Sequence, residues 1–219
     1  MSSLHVTPSE LSSSLVFDEL LNDDLYTTYM GTWKGQPVVI KLFTEMSDSN
    51  NEFEVLVELQ RRDFPSHLYP QPLFVTTEED GYYDIIPESM WDLPSCHEDV
   101  FKIIGYTYLP GVPLLELIED TERYVEPYKM VSDIKTQLHQ LHSLGVVHGD
   151  VAARNIIRGD DGIYRLIDYG RCFSHQVTTP HFPPMEYMVM DGNISDTADD
   201  FIGLGRALSA CLKLNNHQA

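Results

Sequence analysis

In the stretch "GVVHGDVAARNIIRGDDGIYRLIDYGR", Asp150, Asn155 and Asp168 stand around two short apolar runs. Asp150 and Asn155 are five positions apart in what reads as a loop, and Asp168 closes the second apolar run. If the runs form a hairpin about the turn "GDDG", strand, turn and strand fold the Asp168 carboxylate back beside Asn155. Two hard oxygen donors at a strand end suit Mg²⁺, which keeps several waters and takes one or two carboxylates plus substrate phosphates. Asp150 would then face the phosphate as the group that orients an attacking hydroxyl and accepts its proton. The plainer alternative is that all three cap turns, the common use of Asn and Asp in loops.

Such residues need a scaffold, and its elements are legible in outline. "LYTTYMGTWKGQPVVIKLF" reads as two strands, Leu25 to Trp33 and Pro37 to Phe43, joined by "KGQP". "SDSNNEFEVLVELQRR" follows with capping candidates ahead of Phe53, Leu56, Val57 and Leu59, which predicts a helix of about three turns. Prolines break residues 65–98, where "EEDGYY" predicts a turn between extended pieces. "FKIIGYTYLPGVPLLELIED" reads as a buried strand, a Pro-Gly break and a short helix, placing a boundary near Leu109. Met130, Val131, Ile134, Leu138 and Leu141 recur at helical spacing from Tyr128 to Leu144, with Gly145 as the stop. A last helix covers "TADDFIGLGRALSACL". Residues 1–14, rich in serine, read as a flexible arm, and His139 with His142 as an exposed helix face.

Composition narrows the partners. A net charge of −20 with only 14 Lys and Arg argues against a nucleic-acid backbone as ligand, since neutralising phosphates takes clustered cations. Up to residue 110 there are 19 acidic against 5 basic residues, and beyond it 15 against 9, so the first half carries most of a field that either serves solubility as a solvated acidic surface or favours a basic partner. Three cysteines, Cys96, Cys172 and Cys211, odd in number and without paired or metal-like spacing, suit a reducing compartment. The start of the chain lacks a signal-peptide pattern and no segment reaches the length of a membrane span, so the expectation is a cytoplasmic protein, the nucleus being left open, with no membrane partner.

Several stretches resemble the protein kinases. "HGDVAARN" resembles the catalytic loop, with His148, Asp150 and Asn155 in the H-x-D-x4-N frame, and "DYG" at Asp168 resembles the metal-binding D-F-G. "VVIK" resembles the strand whose lysine holds the α- and β-phosphates, here Lys41. "NEFEVLVEL" resembles the helix that supplies the lysine's partner; the apolar register favours Glu52 over Glu54 and Glu58. "YLPGVPL" resembles the hinge that holds adenine through backbone groups, marking Thr107 and Tyr108, and "DDFIGLG" resembles the helix whose aspartate, here Asp200, braces the catalytic loop.

The resemblance implies an α+β, bilobal fold, with residues 15–108 as a small sheet-plus-helix lobe and 109–219 as a mainly helical, shortened second lobe. It implies ATP and Mg²⁺ as cofactors, Asp150 and Arg154 as catalytic, Lys41, Glu52, Thr107 and Tyr108 as nucleotide-binding, and Asn155 and Asp168 as metal ligands. The implied reaction is transfer of the γ-phosphate to a hydroxyl of a protein substrate. An inactive pseudokinase scaffold and a small-molecule kinase are the alternatives. The sequence departs from the pattern where Leu21, Asp23 and Tyr26 occupy the three glycine positions of the phosphate-covering loop. Gly149 stands where many kinases carry an arginine, and "VAAR" lacks the lysine of serine/threonine kinases, leaving Arg154 to supply the cation.

Overall fold

Val38, Ile40 and Leu42 point one way along a strand while Val39 and Lys41 point the other, the period-2 pattern of a sheet with a buried face. This strand is the centre of a five-stranded antiparallel sheet. The computed structural model describes residues 4–23, 27–43, 46–76, 86, 102–120, 124–174 and 197–217. Its fold is α+β, and it divides into two units, Met1–Val57 with Pro70–Tyr108 and Glu58–Tyr69 with Leu109–Ala219.

The sheet of the first unit contains β1 (Leu15–Asp23), β2 (Thr27–Trp33), β3 (Gln36–Phe43), β4 (Pro72–Val75) and β5 (Lys102–Thr107), in the order β1-β2-β3-β5-β4. A tight turn at Lys34 and Gly35, both at positive φ, sets the register of β2 and β3. The core gathers Leu15, Tyr29, Val38, Ile40, Leu42, Phe74 and Ile103. Beyond the sheet, α2 runs from Met46 to Arg61, with Phe53, Val55, Leu56 and Leu59 buried.

The sequence reading missed β1. Val16, Leu20 and Leu21 are exposed on it and its register shifts twice, so no alternation marks it as a strand. The segment read as a flexible arm is also held. Pro8–Ser12 forms the short helix α1, the Thr7 N–H donates to Glu10 Oε2 at 2.9 Å, and Leu11 is fully buried in the sheet's core. Leu25 and the turn "EEDGYY" lie outside the described residues, as do Cys96 and Tyr26.

In the second unit the helices are α3 (Leu114–Glu119), α4 (Pro127–Ser143) and α5 (Thr197–His217). The strands β6 (Gly111–Pro113), β8 (Ile156–Gly159) and β9 (Tyr164–Leu166) make a three-stranded sheet, and β7 (Val146–Val147) pairs with β10 (Phe173–Ser174). Gly111–Pro113, read from the sequence as a break, pairs antiparallel with β8. Met130, Ile134, Leu138 and Leu141 line the buried face of α4, the spacing a 3.6-residue period requires.

Gln137 lies on that face too. Its Nε2 donates to the Tyr164 carbonyl at 2.6 Å and its Oε1 accepts from the Leu166 N–H at 3.1 Å, so one side chain serves the β9 backbone as a neighbouring strand would. Cys172 and Cys211 are buried, and burial pushes the Cys211 thiol up to about 11. Among the described residues no helix is long and apolar enough to cross a membrane.

Candidate functional site

Between β7 and β8 the chain turns through His148 to Asn155, and one buried carboxylate holds the first part of that loop. Asp200, near the start of α5 and 1% exposed, accepts the His148 N–H at 2.9 Å on Oδ2 and the Gly149 N–H at 2.8 Å on Oδ1. His142 Nε2 lies 2.8 Å from the same Oδ2, so three donors surround a group that would be costly to bury without them. His142 therefore faces α5 rather than solvent, a correction to the exposed face read from the sequence. The i, i+3 spacing of His139 and His142 fits either reading, and only the docking of α5, with Phe201 against both rings, decides it.

Gly149 sits at φ +77, and a Cβ there would come 2.5 Å from the Arg171 carbonyl oxygen. A side chain at this position is excluded by the backbone, whatever its charge.

Asp150 is gripped through its side chain. Arg154 Nη2 donates to both carboxylate oxygens at 2.7 Å, and Asn155 Nδ2 donates to Oδ2 and to the Asp150 carbonyl, each at 3.0 Å. Asn155 is 4% exposed, and its amide nitrogen is committed to Asp150. The Ile167 N–H donates to the Asn155 carbonyl at 2.9 Å, one residue before Asp168. Asp168 adopts a left-handed backbone, φ 62, uncommon for a residue other than glycine and maintained only where the surroundings enforce it. The loop thus brings Asp150, Arg154 and Asn155 into contact, and the hairpin return carries Asp168 to the end of the same segment.

His148 is fully buried and its ring lies against that of Tyr169, with centroids 5.0 Å apart. Burial lowers its pKa below the ordinary 6.5, against the opposing pull of Asp200, Asp168 and Asp150. The unfolded chain therefore takes up a proton there at a higher pH than the folded one, so this contribution to stability is intact above pH 6.5 and is lost as pH falls. Unfolding free energies from urea titrations at pH 7.5 and 5.5 should converge when His148 is replaced by glutamine, by at most about 1.4 kcal/mol per pH unit relative to the parent chain. An unchanged pH dependence in the variant would show that the imidazole is charged in the fold.

In the first unit Lys41 meets Glu52. Lys41 Nζ donates to Glu52 Oε2 at 2.7 Å and to Oε1 at 2.9 Å, with the carboxylate side chain 2% exposed. Of the other glutamates on α2, Glu58 is engaged by Arg61 and Arg62. Thr107 ends β5 and Tyr108 follows it, with their N–H groups directed to the Gln71 and Pro37 carbonyls, at 2.9 and 3.5 Å. Leu21, at the first missing-glycine position, lies exposed on β1. Among the described residues no group of three or more His, Cys, Asp or Glu converges as a metal cluster. No local pattern marks the bond between Asp150 and Arg154, whose i, i+4 spacing suggests a pair only once Ala153–Asn155 is known to coil as a 3-10 turn.

No family model matches the chain. It is 31% identical over 112 residues to a Caenorhabditis elegans protein provisionally named a tyrosine-protein kinase, across 47% of this chain and 33% of that one. It is 25% identical over 163 residues to a Methanothermobacter thermautotrophicus protein provisionally named a bifunctional tRNA threonylcarbamoyladenosine biosynthesis protein, across 74% of this chain and 27% of that one. The chain spans a third or less of each relative's length.

Proposed function

We propose that this chain is an ATP- and Mg²⁺-dependent phosphotransferase of the bilobal protein-kinase-like fold, which moves the γ-phosphate of ATP to a hydroxyl of a protein. The observation that carries this reading is the Asp150 carboxylate, fixed by Arg154 and Asn155 on a loop that a buried aspartate holds by its backbone. A carboxylate so placed orients an acceptor hydroxyl and takes its proton as the oxygen attacks phosphorus. Arg154, whose side chain is 58% exposed, can swing from Asp150 to the anionic oxygens of the transferring phosphate.

The residues present fit Mg²⁺. Asn155 Oδ1 and the Asp168 carboxylate are hard oxygen donors of the number this cation takes beside phosphates, and the amide nitrogen that would repel it is committed to Asp150. Mg²⁺, when bound, offsets the charge of the β- and γ-phosphates. Lys41, held straight by Glu52, binds the α- and β-phosphates. The N–H groups of Thr107 and Tyr108 are already in use, so these residues serve adenine through their carbonyl oxygens.

The charge of −20 supports a basic protein acceptor and weighs against a direct hold on tRNA, so the second relative's name is not carried over. One observation favours the rival reading, a binding scaffold without catalysis: Leu21 and Asp23 stand on β1 where the kinase pattern has glycines that let the backbone approach phosphate. Calorimetry with ATP separates the two. The intact chain should bind ATP with Mg²⁺, and Asp168→Ala should lose about tenfold or more of the magnesium-dependent part. Absence of ATP binding by the intact chain would leave the scaffold reading standing.

A further inference from the structure

Gly203 lies three residues after Asp200 on α5, so the two share a face of the helix. Asp200 holds the N–H groups of His148 and Gly149, the two residues before Asp150. The residue after Asp150 is seated on the same face by contact. A Cβ built on Gly203 would lie 2.3 Å from the Val151 carbonyl oxygen, 3.2 Å from its carbon and 3.0 Å from Val151 Cβ. None of these is the far end of a flexible side chain, so none can move without moving the loop.

Glycine is a poor helix former, and α5 contains a second one, Gly205, whose Cβ would meet nothing within 4 Å. Gly205 imposes no spacing on any neighbour. Gly203 does, and the neighbour it admits is the backbone adjoining Asp150.

We infer that Gly203 is a positioning residue: the missing side chain lets the Val151 carbonyl settle on α5, and with Asp200 it fixes the loop on both sides of Asp150. The inference deepens the proposed phosphotransfer and rests on that reading for its kinetic consequence. An added methyl must displace Val151 by about 1 Å to reach ordinary contact, a misplacement that costs catalysis about 100-fold.

The test compares the full chain with Gly203→Ala and Gly205→Ala. It measures thermal melting, amide hydrogen exchange at His148 and Gly149, and transfer of labelled phosphate from ATP to histone. Gly205→Ala should melt at or above the parent temperature with exchange and transfer unchanged. Gly203→Ala should still fold, exchange the two amides about tenfold faster or more, and lose about 100-fold in kcat with KM for ATP held within about twofold. Parent-like exchange and kcat in folded Gly203→Ala would overturn the inference. So would a Gly203→Ala chain that does not fold, because the glycine would then serve the seating of α5 as a whole. If the intact chain transfers no phosphate, the proposed function fails by itself, and the exchange at His148 and Gly149 still decides whether Gly203 seats the loop.

Discussion

Asp150→Asn is expected to lower phosphate transfer from ATP to histone by about 10³-fold while leaving ATP affinity within about threefold. An asparagine of the same shape keeps one oxygen for the donors Arg154 Nη2 and Asn155 Nδ2, which now lie 2.7 and 3.0 Å from the carboxylate, but it cannot accept the acceptor's proton. The loss amounts to about 4 kcal/mol of transition-state stabilisation. It should appear in kcat, since the group acts on the acceptor after the nucleotide is bound. Because Asp200 holds this loop through the backbone of His148 and Gly149, the substitution should leave the loop in place and the melting temperature close to the parent value. A variant with more than about a tenth of the parent rate would remove Asp150 from the chemistry and return the three residues to turn caps.

The second large effect is on stability. Glu52 is 2% exposed, and Lys41 supplies two charge-assisted hydrogen bonds to it at 2.7 and 2.9 Å. In Lys41→Met the apolar stem is preserved and the ammonium is lost, which leaves a carboxylate in the interior without its main cation. Breaking such a pair from one side costs about 3–5 kcal/mol. Replacing both partners, Lys41→Met with Glu52→Leu, should recover most of that loss, because two apolar groups of similar volume need no counter-charge. Urea unfolding of the two single variants and the double variant measures the coupling directly. A Lys41→Met penalty under about 1 kcal/mol would mean that water reaches Glu52, and the pair would then be unsuited to fixing the lysine on a phosphate.

Legibility from the sequence followed the strength of the local pattern. α4 announces itself because Met130, Ile134, Leu138 and Leu141 repeat at helical spacing and Gly145 stops them, and the helix ends at Ser143. The hairpin around "GDDG" is readable for the corresponding reason, short apolar runs about a turn, and it pairs Ile156 with Leu166. β1 was hidden because its outward residues are apolar and its bulges break the alternation. The contact of His142 with Asp200 spans 58 positions, and nothing near His142 in sequence distinguishes it from a solvent-facing residue. Gly149 and Gly203 were visible as letters only. That each stands where a Cβ would strike a backbone carbonyl is a property of the assembled loop and helix, which no local pattern encodes.

The short helix α1 has a practical consequence for anyone handling this chain. Leu11 is fully buried, the Val6 N–H bonds the Val75 carbonyl, and the Val75 N–H bonds the Leu4 carbonyl, so the opening residues work as part of the β4 side of the sheet. A version trimmed to start at Leu15, the natural choice if the serine-rich opening is taken for dispensable, would open a cavity the size of a leucine side chain, at about 3–5 kcal/mol. It would also strip two hydrogen bonds from a strand edge. Weak expression of such a shortened version would therefore reflect the missing leucine before any question of catalysis arises.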